Sequence, residues 1–179
     1  MLLFVSAIAD VASYILAKDH FATIPIINVY FLVSFSVLSF MYARLLHGAK
    51  QAILSFIGIG FACFLWDTFC IHTIVTMQSY TVTLFSVLAI GYTLVYYDHL
   101  LSTMPAMNIT RFPFFWINTA VAYYFCFNLF LFVFSTYIFE NLKEEEVLAV
   151  WIFHNLNNTI KNILFAVGLS HVSERNVYS

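Results

Sequence analysis

The chain has 179 residues, of which 63% are hydrophobic, 20% aromatic and only 9% charged. Soluble domains carry about a quarter charged residues, so this composition excludes a water-facing globule and indicates an integral membrane protein. The net charge of −2 and the lack of a basic cluster exclude nucleic acid as a partner.

Six segments are long and apolar enough to cross a bilayer as helices. The first is interpreted as a spanning helix and not a signal peptide, because it has no basic leader and Asp10 interrupts its apolar run. Residues 1–170 are therefore predicted to form one transmembrane bundle, followed by a short cytoplasmic tail at 171–179. The six segments are residues 1–17, 24–46, 51–75, 79–101, 114–138 and 147–169.

The distribution of basic residues predicts the orientation of the bundle. One side of the predicted topology collects Arg44, Lys50, Arg111 and Arg175, and the other has only Lys18 and Lys143. Both termini are therefore expected in the cytoplasm. The acidic run at 144–146 precedes the last segment and is expected to cap the positive end of that helix.

Two sets of small residues are predicted to lie at helix contacts, and three cysteines are predicted to be free thiols. Small side chains three and four residues apart let helices approach closely, and cysteines without a C-x-x-C spacing are expected as buried free thiols. The small sets are Ser36, Ser39 and Ala43, and Ser55, Gly58 and Ala62; the thiols are Cys63, Cys70 and Cys126.

The last segment carries polar residues in the middle of an apolar helix. At 100° per residue, His154, Asn158, Lys161 and Phe165 fall within an arc of about 60°. Three asparagines flank that arc, and apolar side chains take the opposite side, so the polar groups are expected to face protein or an internal cavity. The flanking asparagines are Asn155, Asn157 and Asn162, and the apolar set is Ile152, Leu156, Ile160, Ile163 and Val167.

Lys161 lies deep in this predicted span, where a lysine has an insertion penalty of about 2.5–3.5 kcal/mol. A partner is therefore expected, and Asp10 on the first segment is the best candidate for an ion pair or a water-bridged pair. Asparagines taken singly fit hydrogen bonding between helices better than function.

Other chemistry finds little support in the residue pattern. His72 and His154 would suit a metal or haem, but no H-x-x-x-H or H-x-x-E-H spacing is present. A retinal Schiff base at Lys161 lacks the usual aspartate one turn earlier, where Asn157 stands. No nucleophile motif occurs, so no cofactor, metal ligand or catalytic residue is expected.

Three stretches nevertheless resemble a known family: "IPIINVYFLVSFSVLSFMYARLL", "FPFFWINTAVAYYFCFNLFLFVFS" and "VWIFHNLNNTIKNILFAVGL". They are similar to small, uncharacterised bacterial multi-pass membrane proteins, whose bundles are similar to membrane input regions of sensor kinases. The resemblance implies a seven-helix form with one helix ahead of the present first segment. The residues that carry it are Phe115, Trp116, Asn118, His154, Asn155, Asn158 and Asn162.

The expected protein is an all-α bundle of six transmembrane helices in a bacterial inner membrane. Its expected function is that of a non-enzymatic sensor or interaction module whose buried polar core binds a small ligand or responds to protonation. The alternative is a small transporter or channel that uses the same core as its path. Membrane lipids, another membrane protein or a second copy of the chain are the expected partners. The candidate site residues are Asp10, Asn118, Asn128, His154, Asn155, Asn158, Lys161 and Asn162.

Overall fold

A computed structural model describes Val11, Ile15 and residues 23–71, 73–103 and 109–177, with side chains as far as His171. Across these residues the structure is all-α and contains no strand. The α-helices of this part of the chain are α1 (Ile24–Leu45), α2 (Lys50–Trp66), α3 (Ser79–Thr103), α4 (Pro113–Val133), α5 (Ser135–Asn141) and α6 (Glu144–Val177).

Four stretches are long and apolar enough to cross a membrane, and they correspond to the second to fifth predicted segments. Many of their large apolar side chains point away from the protein: Trp66 is 65% exposed, Phe69 81% and Phe130 72%. Extended apolar surface of this kind suits lipid and not water. The four are Ile24–Leu45, His47–Ile71, Ser79–Thr103 and Pro113–Val133. The first predicted segment lies outside the described residues, except for Val11 and Ile15.

Two predicted segments end earlier than expected. The segment 51–75 ends at Ile71, because α2 passes into a π-helical turn, Asp67–Ile71, before the connection to α3. The segment 114–138 breaks after Val133, and a separate short helix, α5, follows. At this break the Ser135 hydroxyl donates to the Phe132 carbonyl at 3.0 Å, a side-chain bond of the kind that competes with regular helix.

The last predicted segment, 147–169, is extended at both ends in α6. The helix has 34 residues and is therefore about 51 Å long. The acidic run lies in its first turn as predicted, and the Glu146 carboxylate accepts a hydrogen bond from the Lys143 N–H at 3.0 Å, which is half of a capping box. Residues 171–177, predicted as a tail, continue the helix.

The chain divides into two compact units. The first unit comprises the described parts of Met1–Phe85 and Phe132–Asn141, and the second comprises those of Ser86–Leu131 and Leu142–Ser179. α3 contributes its first residues to one unit and the remainder to the other. Half of its spanning window is buried, against 22% for the stretch that contains α2, so α3 is the most enclosed of the four apolar stretches.

In the first unit, α1 and α2 pack against each other around two stacked aromatic rings. Phe35 and Phe85 lie 4.2 Å apart at an interplanar angle of 3°. Both are almost fully buried, and Gly60 provides the space beside them: a Cβ atom there would lie 2.9 Å from each ring. Gly60 is thus the residue that permits close packing of α2.

The small-residue prediction is confirmed for α1 and wrong for α2. Ser39 and Ala43 are buried and Ser36 is half-buried, whereas Ser55, Gly58 and Ala62 are not buried. Spacing alone does not say which side of an all-apolar helix meets protein, since every side is hydrophobic.

The thiols are free as predicted, but the prediction that they are buried is wrong. Cys70 and Cys126 are exposed and Cys63 is half-buried. A thiol behaves as a small apolar group, so these positions suit an apolar outer surface.

Replacing Gly60 with alanine is expected to lower the free energy of unfolding by about 1–3 kcal/mol, because the new methyl overpacks the stacked rings. Gly58 is the matched control on the same helix. A Cβ at Gly58 meets no atom of the described residues within 4 Å, so Gly58→Ala should be neutral or stabilise by up to about 1 kcal/mol through helix propensity. Thermal unfolding in detergent compares the two variants, and equal midpoints would contradict this packing.

Candidate functional site

In the second unit, α4 and α6 run antiparallel, and the residues along their facing sides form the candidate site. Residues late in α4 contact residues early in α6, and residues early in α4 contact residues late in α6. Asn128 contacts His154, and Trp116 contacts His171. The helices approach closely at Gly168, where a Cβ would lie 3.0 Å from the Pro113 carbonyl oxygen. This register brings the polar side chains of the two helices together.

His154 is held in one orientation by its neighbours. Asn128 is fully buried and donates from Nδ2 to the Tyr124 carbonyl at 2.8 Å, which leaves its Oδ1 as an acceptor 3.1 Å from His154 Nδ1. His154 Nδ1–H is therefore the donor, and the neutral ring keeps Nε2 as an acceptor. The rings of Trp151 and Tyr124 pack on His154 at 5.4 and 5.8 Å between centroids.

Lys161 lies on the same side of α6 as His154, further along the helix. It is only 7% exposed, and its Nζ lies 4.5 Å from the centroid of the Tyr124 ring. A cation over an aromatic ring is stabilised by about 0.5–2 kcal/mol, most when water is excluded. The Tyr124 ring thus contacts both the imidazole of His154 and the ammonium group of Lys161.

Asn157 belongs to this buried surface, although it is absent from the predicted site residues. It is 2% exposed, and its Oδ1 accepts a hydrogen bond from the Tyr123 hydroxyl at 3.0 Å. Its Nδ2 has no hydrogen-bond partner among the described residues. The signal in the sequence was its spacing from Lys161, since residues four apart share one helix face.

The other predicted site residues do not all join this group. Asn118 is buried and donates to the Thr93 carbonyl at 3.2 Å, which links α4 to α3 about 15 Å along α4 from Asn128. Asn158 and Asn162 are half-buried. Asp10 lies outside the described residues, as do His20 and His72.

Asn155 departs from its predicted inward orientation, because it is exposed. Residues two apart in a helix point about 160° away from each other, so Asn155 and the buried Asn157 cannot share a face. The polar residues of α6 therefore occupy two sides of the helix, and only one of them faces α4.

A second buried polar cluster, in the first unit, is missing from the predicted sites. Asp67 is 2% exposed, and one of its carboxylate oxygens accepts bonds from the Thr81 N–H at 3.1 Å and the Thr81 hydroxyl at 2.8 Å. Thr81 lies in the first turn of α3, whose unpaired N–H groups and positive dipole end favour an anion. Asp67 therefore caps the helix that follows its own.

Asn28 fixes the connection between α2 and α3 from the side of α1. Its Nδ2 donates to the carbonyls of Ile74 and Thr76 at 3.1 and 2.9 Å, and its Oδ1 accepts from the Gln78 N–H at 3.4 Å. Like Lys161, Asn28 and Asp67 interrupt apolar segments. Because polar groups at depth need partners, both positions carried a signal in the sequence.

The described residues of the second unit offer hydrogen bonds and a buried charge, Lys161, for recognition. No group of three histidine, cysteine or acidic side chains suited to a metal occurs among the described residues. Comparisons with protein-family models, with curated proteins and with solved structures found no match.

Tyr123→Phe is expected to destabilise the protein by about 1–3 kcal/mol, because it leaves the buried Asn157 amide without its hydrogen-bond donor. Tyr137→Phe is the matched control, since Tyr137 is 59% exposed and its change should be close to neutral. A double-mutant cycle with Asn157→Leu, read by thermal unfolding, should give a coupling of at least about 0.5 kcal/mol. Additive effects would exclude this contact.

Proposed function

We propose that this chain is a non-enzymatic membrane sensor or interaction module. Its polar core, the facing surface of α4 and α6 formed by Asn128, His154, Asn157 and Lys161, binds a small ligand or responds to protonation. The observation that carries the proposal is the position of the Tyr124 ring, in contact with both His154 and Lys161. A titratable group and a cation on one buried aromatic ring make the local packing sensitive to charge.

The proposal places α6 and the first predicted segment, residues 1–17, in the membrane with the four apolar helices, for six spans in all. α6 is less apolar than those four because its polar residues lie in its middle, and the buried side of the helix is where Lys161 and Asn157 reside. At about 51 Å it is longer than the hydrocarbon core, so its ends project into water. The excess of basic residues supports cytoplasmic termini.

The proposed compartment is a bacterial cytoplasmic membrane, which depends on the resemblance to small multi-pass bacterial proteins. The same resemblance, to membrane input regions of sensor kinases, suggests that the output passes to another membrane protein or to a second copy of the chain. Membrane lipids cover the remaining apolar surface.

Protonation would act on this core through repulsion between like charges. A proton on His154 places a second positive charge next to the Tyr124 ring, on which the Lys161 ammonium group already lies 4.5 Å from the centroid. In a medium of low dielectric constant this repulsion is much stronger than in water. The ring contacts must therefore rearrange, or an anionic ligand must enter to compensate the charge.

Trp151 gives this proposal a direct readout, because its ring packs against His154. In a Trp66→Phe, Trp116→Phe background, we expect the fluorescence of Trp151 to change when acidification protonates His154, since a charged imidazole then lies against the indole ring. His154→Gln should abolish the titration. His171→Gln is the matched control and should leave it unchanged.

If the fluorescence of Trp151 does not change with pH, and no small anion alters it, the proposed sensing core is wrong. Flux of protons or of a small solute through proteoliposomes, lost in Lys161→Met, would instead favour the small transporter or channel.

The proposed pairing of Asp10 with Lys161 is tested by charge removal. Breaking a buried ion pair by removing one partner costs about 3–5 kcal/mol, whereas removing both costs much less. We therefore expect Lys161→Met and Asp10→Asn each to lower the thermal midpoint strongly, and the double variant to recover most of the loss. If the two losses simply add, Asp10 is not the partner of Lys161.

A further inference from the structure

The outer side of α6 carries a stripe of polar and small residues: Asn155, Thr159, Asn162 and Ala166. Asn155, Thr159 and Ala166 are exposed and Asn162 is half-buried. At 100° per residue the four fall within an arc of about 60°, roughly 130° from the side that faces α4. This outer stripe is a second polar surface on the same helix.

The amides of the stripe are its unusual feature. The Thr159 hydroxyl is satisfied within the helix by the Asn155 carbonyl, at 2.9 Å. The Asn155 side chain, in contrast, is exposed. The Oδ1 of Asn162 is buried, and no described residue forms a hydrogen bond with it. The exposed amide of Asn155 is therefore available to a group from outside the chain.

The depth of Asn155 makes an uncovered amide unfavourable. Asn155 lies eight residues beyond Val147, about 12 Å along the helix axis. The inference that this position lies within the membrane rests on the proposed function, in which the middle of α6 crosses the membrane. An amide without a hydrogen-bond partner in hydrocarbon costs several kcal/mol. Between two helices, the same amide stabilises their association.

We propose that the outer stripe is the contact between two copies of this chain, with α6 packed on α6 and Asn155 hydrogen-bonded to Asn155 of the second copy. Two copies with the same membrane orientation are related by a two-fold axis along the membrane normal, so each residue near the axis meets its counterpart at the same depth. An amide both donates and accepts, which makes it complementary to itself. Thr159 and Ala166 are small and allow a close approach, and no residue of the stripe is charged.

Cysteine cross-linking tests this contact. In a background with Cys63, Cys70 and Cys126 changed to serine, Asn155→Cys should form a disulfide-linked dimer when membranes are oxidised. Leu156→Cys is the matched control, because Leu156 is also exposed, at 56%, and lies about 1.5 Å away in depth but 100° around the helix. Equal cross-linking of the two variants, or none in either, overturns the proposal.

A second variant measures the amide itself without a new cysteine. Asn155→Leu should weaken self-association on the order of tenfold, measured by energy transfer between labelled copies in liposomes. Asn141→Leu, which removes an exposed amide from α5, should leave it unchanged. Unaltered association of Asn155→Leu, or a wild-type chain that stays monomeric, overturns the contact.

Labelling separates a failure of this proposal from a failure of the proposed function. In intact membranes, a membrane-impermeant maleimide should not reach the thiol of the Asn155→Cys variant. If the maleimide labels that thiol readily, α6 is not embedded, and both the span and the dimer contact are wrong. If the thiol is protected but the Asn155→Cys variant does not cross-link more than the Leu156→Cys variant, the dimer contact alone is wrong.

Discussion

The antiparallel register of α4 and α6 is the constraint on which the candidate site depends. Gly168 lets the helices meet closely beside Pro113, and every polar pair further along the two helices follows from that alignment. Asn128 reaches His154, Tyr124 reaches Lys161, and Tyr123 reaches Asn157. A shift of one residue would rotate each partner by 100° and leave these buried groups unpaired.

The first unit also buries polar side chains, but their hydrogen-bond partners differ. There the polar side chains hold helix ends and a connection in place: Asp67 caps α3, and Asn28 binds the backbone of the α2–α3 connection. These bonds satisfy backbone groups that a helix terminus leaves open. In the second unit, the side-chain pairs Asn128–His154 and Tyr123–Asn157 join α4 to α6.

The apolar helices were predictable from the sequence, whereas many of their contacts were not. Length and hydropathy identified the stretches that become α1 to α4, because an apolar run has the same signature whatever it packs against. The π-helical turn after α2 and the break before α5 leave no periodic signal, and Gly58 was preferred over Gly60 because only the packed rings distinguish them. Helix periodicity did predict the inward position of Lys161. The error at Asn155 came from treating α6 as a helix with one polar side, although Asn155 and Asn157 necessarily point in nearly opposite directions.

The unbroken length of α6 has a mechanical consequence. From His154 to Val177 the helix continues for 23 residues, about 35 Å, with hydrogen bonds between successive turns that resist twisting. Where it lies against the start of α4, α6 presents Gly168, and the two helices are in close contact there. If a change of charge beside Tyr124 rotates the helix slightly about its axis, the far end of the helix would therefore rotate by the same angle. The last residues of the helix would then move together with those beside Tyr124.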